Sequence, residues 1–226
     1  MIDVLVATLG ERMTKGLDHI PWEYEVHTST AKPWAKAAND LLDESAARGR
    51  DAIFVDDDIE ILPETFEVLE PLIPYADVFG FMMLRPGGSL LSGGHDATDD
   101  GTPFPMITEP AIHETAYVSH VTASLMYLKR SAVEKLRFPL WPGQHYEDVA
   151  FSYDAWLKGL RVLYVPRPCL HDVTNENIGA SKGKIPNFWE LNGVNRQEMA
   201  QWAVGHGVRE AIAKRVIPTG RLRLNV

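Results

Sequence analysis

At 226 residues, with 45% hydrophobic and 23% charged side chains, the chain has the composition of a folded globular protein, long enough to bury a core without disulfides or structural metal. Its single cysteine, Cys169, excludes an intrachain disulfide and suits a reducing compartment, so a cytoplasmic location is expected. A net charge of −9 disfavours nucleic acid as a partner without excluding it, and no membrane span is expected, because no run reaches ~18 apolar residues and the start lacks a signal peptide's basic lead. The charge is uneven, since residues 177–226 carry eight Lys or Arg against three Asp or Glu and leave −14 on the first 176. A solvated basic surface and a contact with an anionic ligand fit that tail equally well.

In chain order, residues 2–7 (IDVLVA) form an apolar, β-branched run that suits a strand covered on both faces. A second strand is expected over 24–28, followed by a helix whose Trp34, Ala38, Leu41, Leu42 and Ala46 share one face, opened by Pro33 and closed by Gly49. Residues 51–55 (DAIFV) predict a third strand, followed at once by three aspartates and by a helical pattern, ETFEVLEPL, after Pro63. A strand is expected over 76–84. Residues 85–117 show no sustained period, and a long connection of this kind is usually functional or mobile. Residues 123–128 predict a strand and 131–136 a short helix. EDVAFSYDAWLKG then predicts a helix with Val149, Tyr153, Trp156 and Leu157 on one face and Gly159 as its stop. A last strand, 161–165, should lose regular pairing at Pro166 and Pro168. Strands alternating with helices argue for an α/β fold, a mainly parallel sheet flanked by helices, with ligands beyond the strands' carboxyl ends.

Asp56, Asp57 and Asp58 then fall at a strand's carboxyl end, where crowded carboxylates repel unless a cation intervenes. Mg²⁺ or Mn²⁺, held by one or two carboxylates and a substrate's phosphates, would resolve that conflict. A solvated acidic turn is the plain alternative. A calcium loop fails, because Ile61 stands where the sharp turn needs Gly and a strand precedes it where a helix belongs. A cap for the helix after Pro63 is better served by Glu64.

FVDDDIEILPETFEVL resembles the strand, DxD motif and following helix of GT-A glycosyltransferases, family 2 in particular. TLGER (8–12) is similar to that family's loop after the first strand, and WAKAANDLL to the helix after its donor-binding loop. YEDVAFSYDAWLKGLRVLYVP is similar to the acidic pair, helix and strand that carry the base of inverting members, and His171, in CLHD, stands where many such enzymes supply a metal-binding histidine. The resemblance covers residues 2–172. It implies a single GT-A domain over 1–172, with 173–226 as a basic extension packing on the donor site or closing over it.

The resemblance implies Asp58 and His171 as metal ligands, and Asp56 on the ribose or reaching the metal through water, with Asp57 less defined. Thr8, Arg12, Asn39, Asp56 and Asp57 would line the donor, a UDP- or GDP-sugar. Asp148, next to Glu147, would take the acceptor hydroxyl's proton, although a carboxylate at a helix start also suits the macrodipole. The loop HTSTAKP lacks the aspartate that family 2 usually sets against the base, which leaves the base open, and inversion against retention stays open too. His95 and His113, in the long loop, are expected to be solvated. Trp141 and His145 either stack on a sugar or pack, and Lys182 and Lys184 either close over a diphosphate or form a plain surface loop. A sugar nucleotidyltransferase, a non-catalytic nucleotide-sugar-binding module and a transferase acting on modified DNA bases are the alternatives. The first wants a Gly-rich basic loop that LGERMTKG supplies poorly, and the acidic balance opposes the last.

Overall fold

The structure is a computed structural model and describes residues 1–8, 14–97, 105–106, 114–141, 146–172, 188–220 and 222–224. Its strands are β1 (Ile2–Ala7), β2 (Tyr24–Ser29), β3 (Ala52–Asp56), β4 (Ile59–Ile61), β5 (Val78–Leu84), β6 (Leu90–Ser92), β7 (Asp96–Ala97), β8 (Pro105–Met106), β9 (Ala116–Tyr117), β10 (Leu125–Leu128), β11 (Val162–His171) and β12 (Leu222–Arg223). The helices are α1 (Trp34–Arg48), α2 (Arg130–Lys135), α3 (Glu147–Leu157), α4 (Phe188–Gly205) and α5 (Val208–Ala213).

Among the described residues, one ten-stranded sheet runs β12-β9-β11-β5-β10-β3-β1-β2, with β4 on β11 and β6 on β5. β2, β1, β3, β5 and β11 point the same way, and β10 is inserted antiparallel between β3 and β5. The expected mainly parallel sheet flanked by helices is therefore what forms.

Alternation along the strands sorts the core onto two faces. Leu5, Ala7 and Phe54 meet Ala38, Leu41 and Leu42 of α1, together with Phe138 and Phe151. Val4, Val6, Ile53 and Val55 meet Phe66, Leu69 and Leu72 on the other side. A third cluster joins α3, through Val149 and Tyr153, to Met199, Ala203 and Val208 of the C-terminal helices. The basic tail thus packs on the helix that begins with the acidic pair, and β12 extends the sheet through β9. Gly49 closes α1 in the left-handed conformation, at φ 68°, where a Cβ would be strained.

Two expectations fail. The segment after Pro63 makes no α-helix; turns lead into a 3₁₀ helix over Glu70–Tyr75. Pro71 and Pro74 cannot donate to an α-helical ladder, and Thr65 ties the turn down, its hydroxyl donating to Pro168 O at 2.6 Å and accepting from Leu62 N at 2.9 Å. Nor do Pro166 and Pro168 end pairing. β11 shifts register between Val165 and Pro168 and continues along β5, with its last three residues also paired to β4. The bulge absorbs Pro166 and Arg167, which is where a proline can sit in a sheet.

Candidate donor and metal site

The parallel strands set the site at their carboxyl ends. Ala7 pairs with Asp56 across β1 and β3, so the next residue on each strand also meets its neighbour: the Thr8 hydroxyl donates to Asp57 Oδ2. The chain then turns through Asp57 and Asp58 into β4, whose Ile59 lies opposite His171 on β11. Asp172 N donates to Asp58 O at 2.9 Å, closing the ladder. That pairing brings two residues over a hundred positions apart into contact, His171 Nε2 lying 3.1 Å from Asp58 Oδ1.

The electrostatics follow from the crowding. Burial pushes the Asp56 carboxyl up to about 7, and the Asp58 charge adds to the rise against the opposing pull of His171 and of hydrogen bonds from Ser124 and Trp34. Burial alone would lower His171, yet the hydrogen bond and charge of Asp58, with Asp56 and Asp172 behind it, raise it. His171 Nδ1 is buried and has no partner among the described residues.

These residues fit a divalent cation. The 3.1 Å between His171 Nε2 and Asp58 Oδ1 is about the separation of two ligands at right angles on a cation with bonds of ~2.1 Å, and the cation would replace the shared proton. Asp56 does not complete a three-ligand cluster with them. The one His/Cys/Asp/Glu triad among the described residues whose ligand atoms all lie within 4.8 Å of one another is Asp3, Glu25 and His27. That triad sits at the amino ends of the strands, and arginines already fill it: Arg48 Nε and Arg50 Nη1 lie 2.8 and 3.0 Å from Asp3, and Arg50 Nη1 lies 2.8 Å from Glu25. Two guanidinium groups occupy the ground a metal would take.

Asp148 reaches the same end of the sheet by a different route. Glu147 and Asp148 open α3, and Asp148 Oδ1 accepts from Val149 N at 2.8 Å. The turn before β10 lies between this acid and Asp56: the Ser124 carbonyl accepts from Asp56 N at 2.9 Å, and the Ser124 hydroxyl and the Ala123 amide oppose the rise of the Asp56 and Asp148 carboxyls, respectively. Two consecutive residues therefore flank the two acids. The turn can lie there because Gly80 has no side chain; a Cβ at that position would come within 2.3 Å of Val121 Cβ. Burial pushes Asp148 up to about 6, against its backbone hydrogen bonds. Burial pushes Glu147 up to about 8, with Asp148 adding to the rise, and its Oε1 has no partner among the described residues.

Asn39, expected at the donor, has both ends of its amide bonded to the backbone of Phe138. Nδ2 donates to Phe138 O and Oδ1 accepts from Phe138 N, both at 2.8 Å, which pins the backbone beside the core. The resemblance of WAKAANDLL placed Asn39 near the site, and a backbone segment 99 residues away holds it. Arg12, His113, His145, Lys182 and Lys184 lie outside the described residues. Trp141 packs with Val149 and Ala97. His95, expected to be solvated, is buried and stacked on His120, ring centroids 4.5 Å apart, because an isolated antiparallel bridge pairs the backbones of the two histidines.

Sequence reasoning missed Trp34 and Ser124 as partners of Asp56. Trp34 was read as a core residue from its helical face, and its ring does pack there, while its Nε1 donates to Asp56 Oδ1 at 3.2 Å. An indole at the first residue of a helix that starts at the sheet's carboxyl end was the available signal. Nothing in the sequence marked Ser124.

No family model matches the chain, and no curated protein is significantly similar to it in sequence. Solved structures do share its fold. The A197 protein from STIV matches at 16% identity with a TM-score of 0.54, over 77% of this chain and 87% of that one. The 1–349 fragment of S. aureus TarS, in complex with UDP-GlcNAc, matches at 16% identity with a TM-score of 0.51, over 77% of this chain and 60% of that one. The chain has the mixed α/β GT-A fold. Among the described residues, no helix is long and apolar enough to cross a membrane.

Proposed function

We propose that the chain is a metal-dependent glycosyltransferase that moves a sugar from a UDP- or GDP-sugar to an acceptor hydroxyl. The observation that carries this reading is the Asp58–His171 pair, built by the β4–β11 ladder next to Asp56, with the 123–124 turn flanking Asp56 and Asp148. The donor class draws on the UDP-GlcNAc held by the TarS fragment on this fold.

Asp58 and neutral His171 would hold Mn²⁺ or Mg²⁺, which supplies Lewis-acid stabilisation of the charge on the departing nucleoside diphosphate. Asp56 and Asp57 would meet the donor, Asp57 with its carboxylate steadied by Thr8. Arg12 belongs to this donor set, and Asn39 does not. Asp148 takes the proton of the acceptor hydroxyl as that oxygen bonds to the anomeric carbon and the bond to the diphosphate breaks, which inverts the carbon. Glu147, protonated at neutral pH, adds no second negative charge beside this base.

A screen of UDP- and GDP-sugars with Mn²⁺, read by thermal shift and slow donor hydrolysis, tests the reading. Stabilisation by a nucleoside diphosphate only when metal is present supports it. Indifference to every nucleotide overturns it.

A further inference from the structure

We infer that Trp34 is a positioning residue for the donor site, fixing the carboxylate of Asp56 in one orientation for its contact with the nucleotide. The inference rests on the glycosyltransferase reading above. Asp56 is the last residue of β3, and Trp34 the first of α1. The indole Nε1 lies 3.2 Å from Asp56 Oδ1, and an indole N–H can only donate, so the contact has a single polarity.

The ring cannot easily swing away. It packs edge-on against Phe54, with centroids 5.5 Å apart at 83°, and against Phe138 at 5.0 Å and 69°. Phe138 is itself held by the Asn39 amide, which bonds both its N–H and its C=O. A chain of contacts therefore runs from Asn39 through Phe138 and Trp34 to Asp56, and all but the two phenylalanine-segment links lie within the first six residues of α1 or at the end of β3. Asn39, five residues along the same helix, acts on the site at one remove.

The chemistry of the donor matters as much as its place. A lysine or arginine at this position would pair with Asp56 and cancel the charge that a cation-bearing nucleotide complex needs. A neutral N–H orients the carboxylate and leaves its charge in place. Asp3 shows the contrast within the same sheet, since its arginines neutralise it.

The test is calorimetric binding of UDP and GDP with Mn²⁺, needing no turnover, on wild type, Trp34→Phe, Asp56→Ala and the double variant. Trp34→Phe keeps a ring in the core and removes the donor. A second variant, with Trp34 replaced by its benzothienyl isostere, keeps the bicyclic shape and removes only the N–H, so a packing defect in the phenylalanine variant does not decide the outcome. The expected result is affinity about tenfold weaker for the isostere, as for loss of a hydrogen bond to a charged group, and no further loss from Trp34→Phe once Asp56 is alanine. Wild-type affinity in the isostere, or an equal loss in both backgrounds, overturns the assignment alone. Failure of wild type to bind either nucleotide with Mn²⁺ overturns the functional reading and this assignment with it.

Discussion

Asp3 and Asp56 lie near opposite ends of neighbouring strands, β1 and β3, and their surroundings treat a carboxylate in contrary ways. At the amino end, burial would raise Asp3, but hydrogen bonds from Arg48 and Arg50, and the Arg48 charge, hold it below its ordinary value. At the carboxyl end Asp56, Glu147 and Asp148 are all raised, by burial first. Among the described residues no ion pair brings a lysine or arginine to these three, and His171 is the basic group in contact with Asp58. One end is complete as a folded structure. On the reading proposed above, the other end leaves its carboxylates to a bound cation and donor, which a substrate site requires and a stability network does not.

The comparison is broken most directly at Asp58. Asp58→Asn should lower kcat/KM by about a thousandfold or more, the loss of several kcal/mol of charge stabilisation, and abolish metal-dependent nucleotide binding in calorimetry. An enzyme indifferent to this change would show the carboxyl end to be no more chemical than the amino end. Asp148→Asn should cost about 10²- to 10³-fold in kcat, with nucleoside-diphosphate affinity unchanged. At the other end, Asp3→Asn should lower stability by about 2 kcal/mol in urea unfolding and leave nucleotide binding alone. An Asp3→Asn variant that bound Mn²⁺–UDP worse would collapse the distinction.

The pH dependence sharpens it further, because the two ends have opposite signs. A base at about 6 must be ionised, so kcat/KM should fall tenfold per unit as pH drops below about 6 and level off above about 7. For stability, Asp3 has a lowered folded value, so its contribution is present above 3.8 and lost as pH falls through the folded value. Glu147 has a raised one, so the folded state binds the extra proton and stability declines as pH rises from 4.5 towards about 8. Glu147→Gln should flatten the slope in that upper window, and Asp3→Asn the slope below 3.8, in unfolding measured across pH.

What the sequence made legible was local. IDVLVA and DAIFV announced buried strands because both faces of a parallel sheet are covered, and Pro33 and Gly49 bracketed α1 as backbone chemistry requires. The aspartates' place at a strand end followed from that strand. ETFEVLEPL misled because its apolar spacing serves a turn that Thr65 anchors to Pro168, a contact across 103 positions. β4 was invisible, since Ile59–Ile61 is three residues long and exists only by pairing with β11. His95 looked like a solvated loop histidine for the same reason: its cover, His120, is supplied from elsewhere in the chain. Asn39 was placed at the site and Trp34 in the core, and only the long-range contacts with Phe138 and Asp56 show that Asn39 props the core while Trp34 reaches the site.

The bulge in β11 works as a vernier. Between Val165 and Pro168 the strand gains Pro166 and Arg167 while its neighbour advances a single step, and only after that offset do Cys169, Leu170 and His171 engage Ile61, Glu60 and Ile59. Because side chains alternate across a strand, removing one residue there would swap the faces of everything downstream, turning the imidazole away from Asp58 and presenting its neighbour instead. The histidine's address is thus written in the length of a bulge upstream in its own strand, and a change in that length would act on the Asp58–His171 pair while leaving both residues as they are.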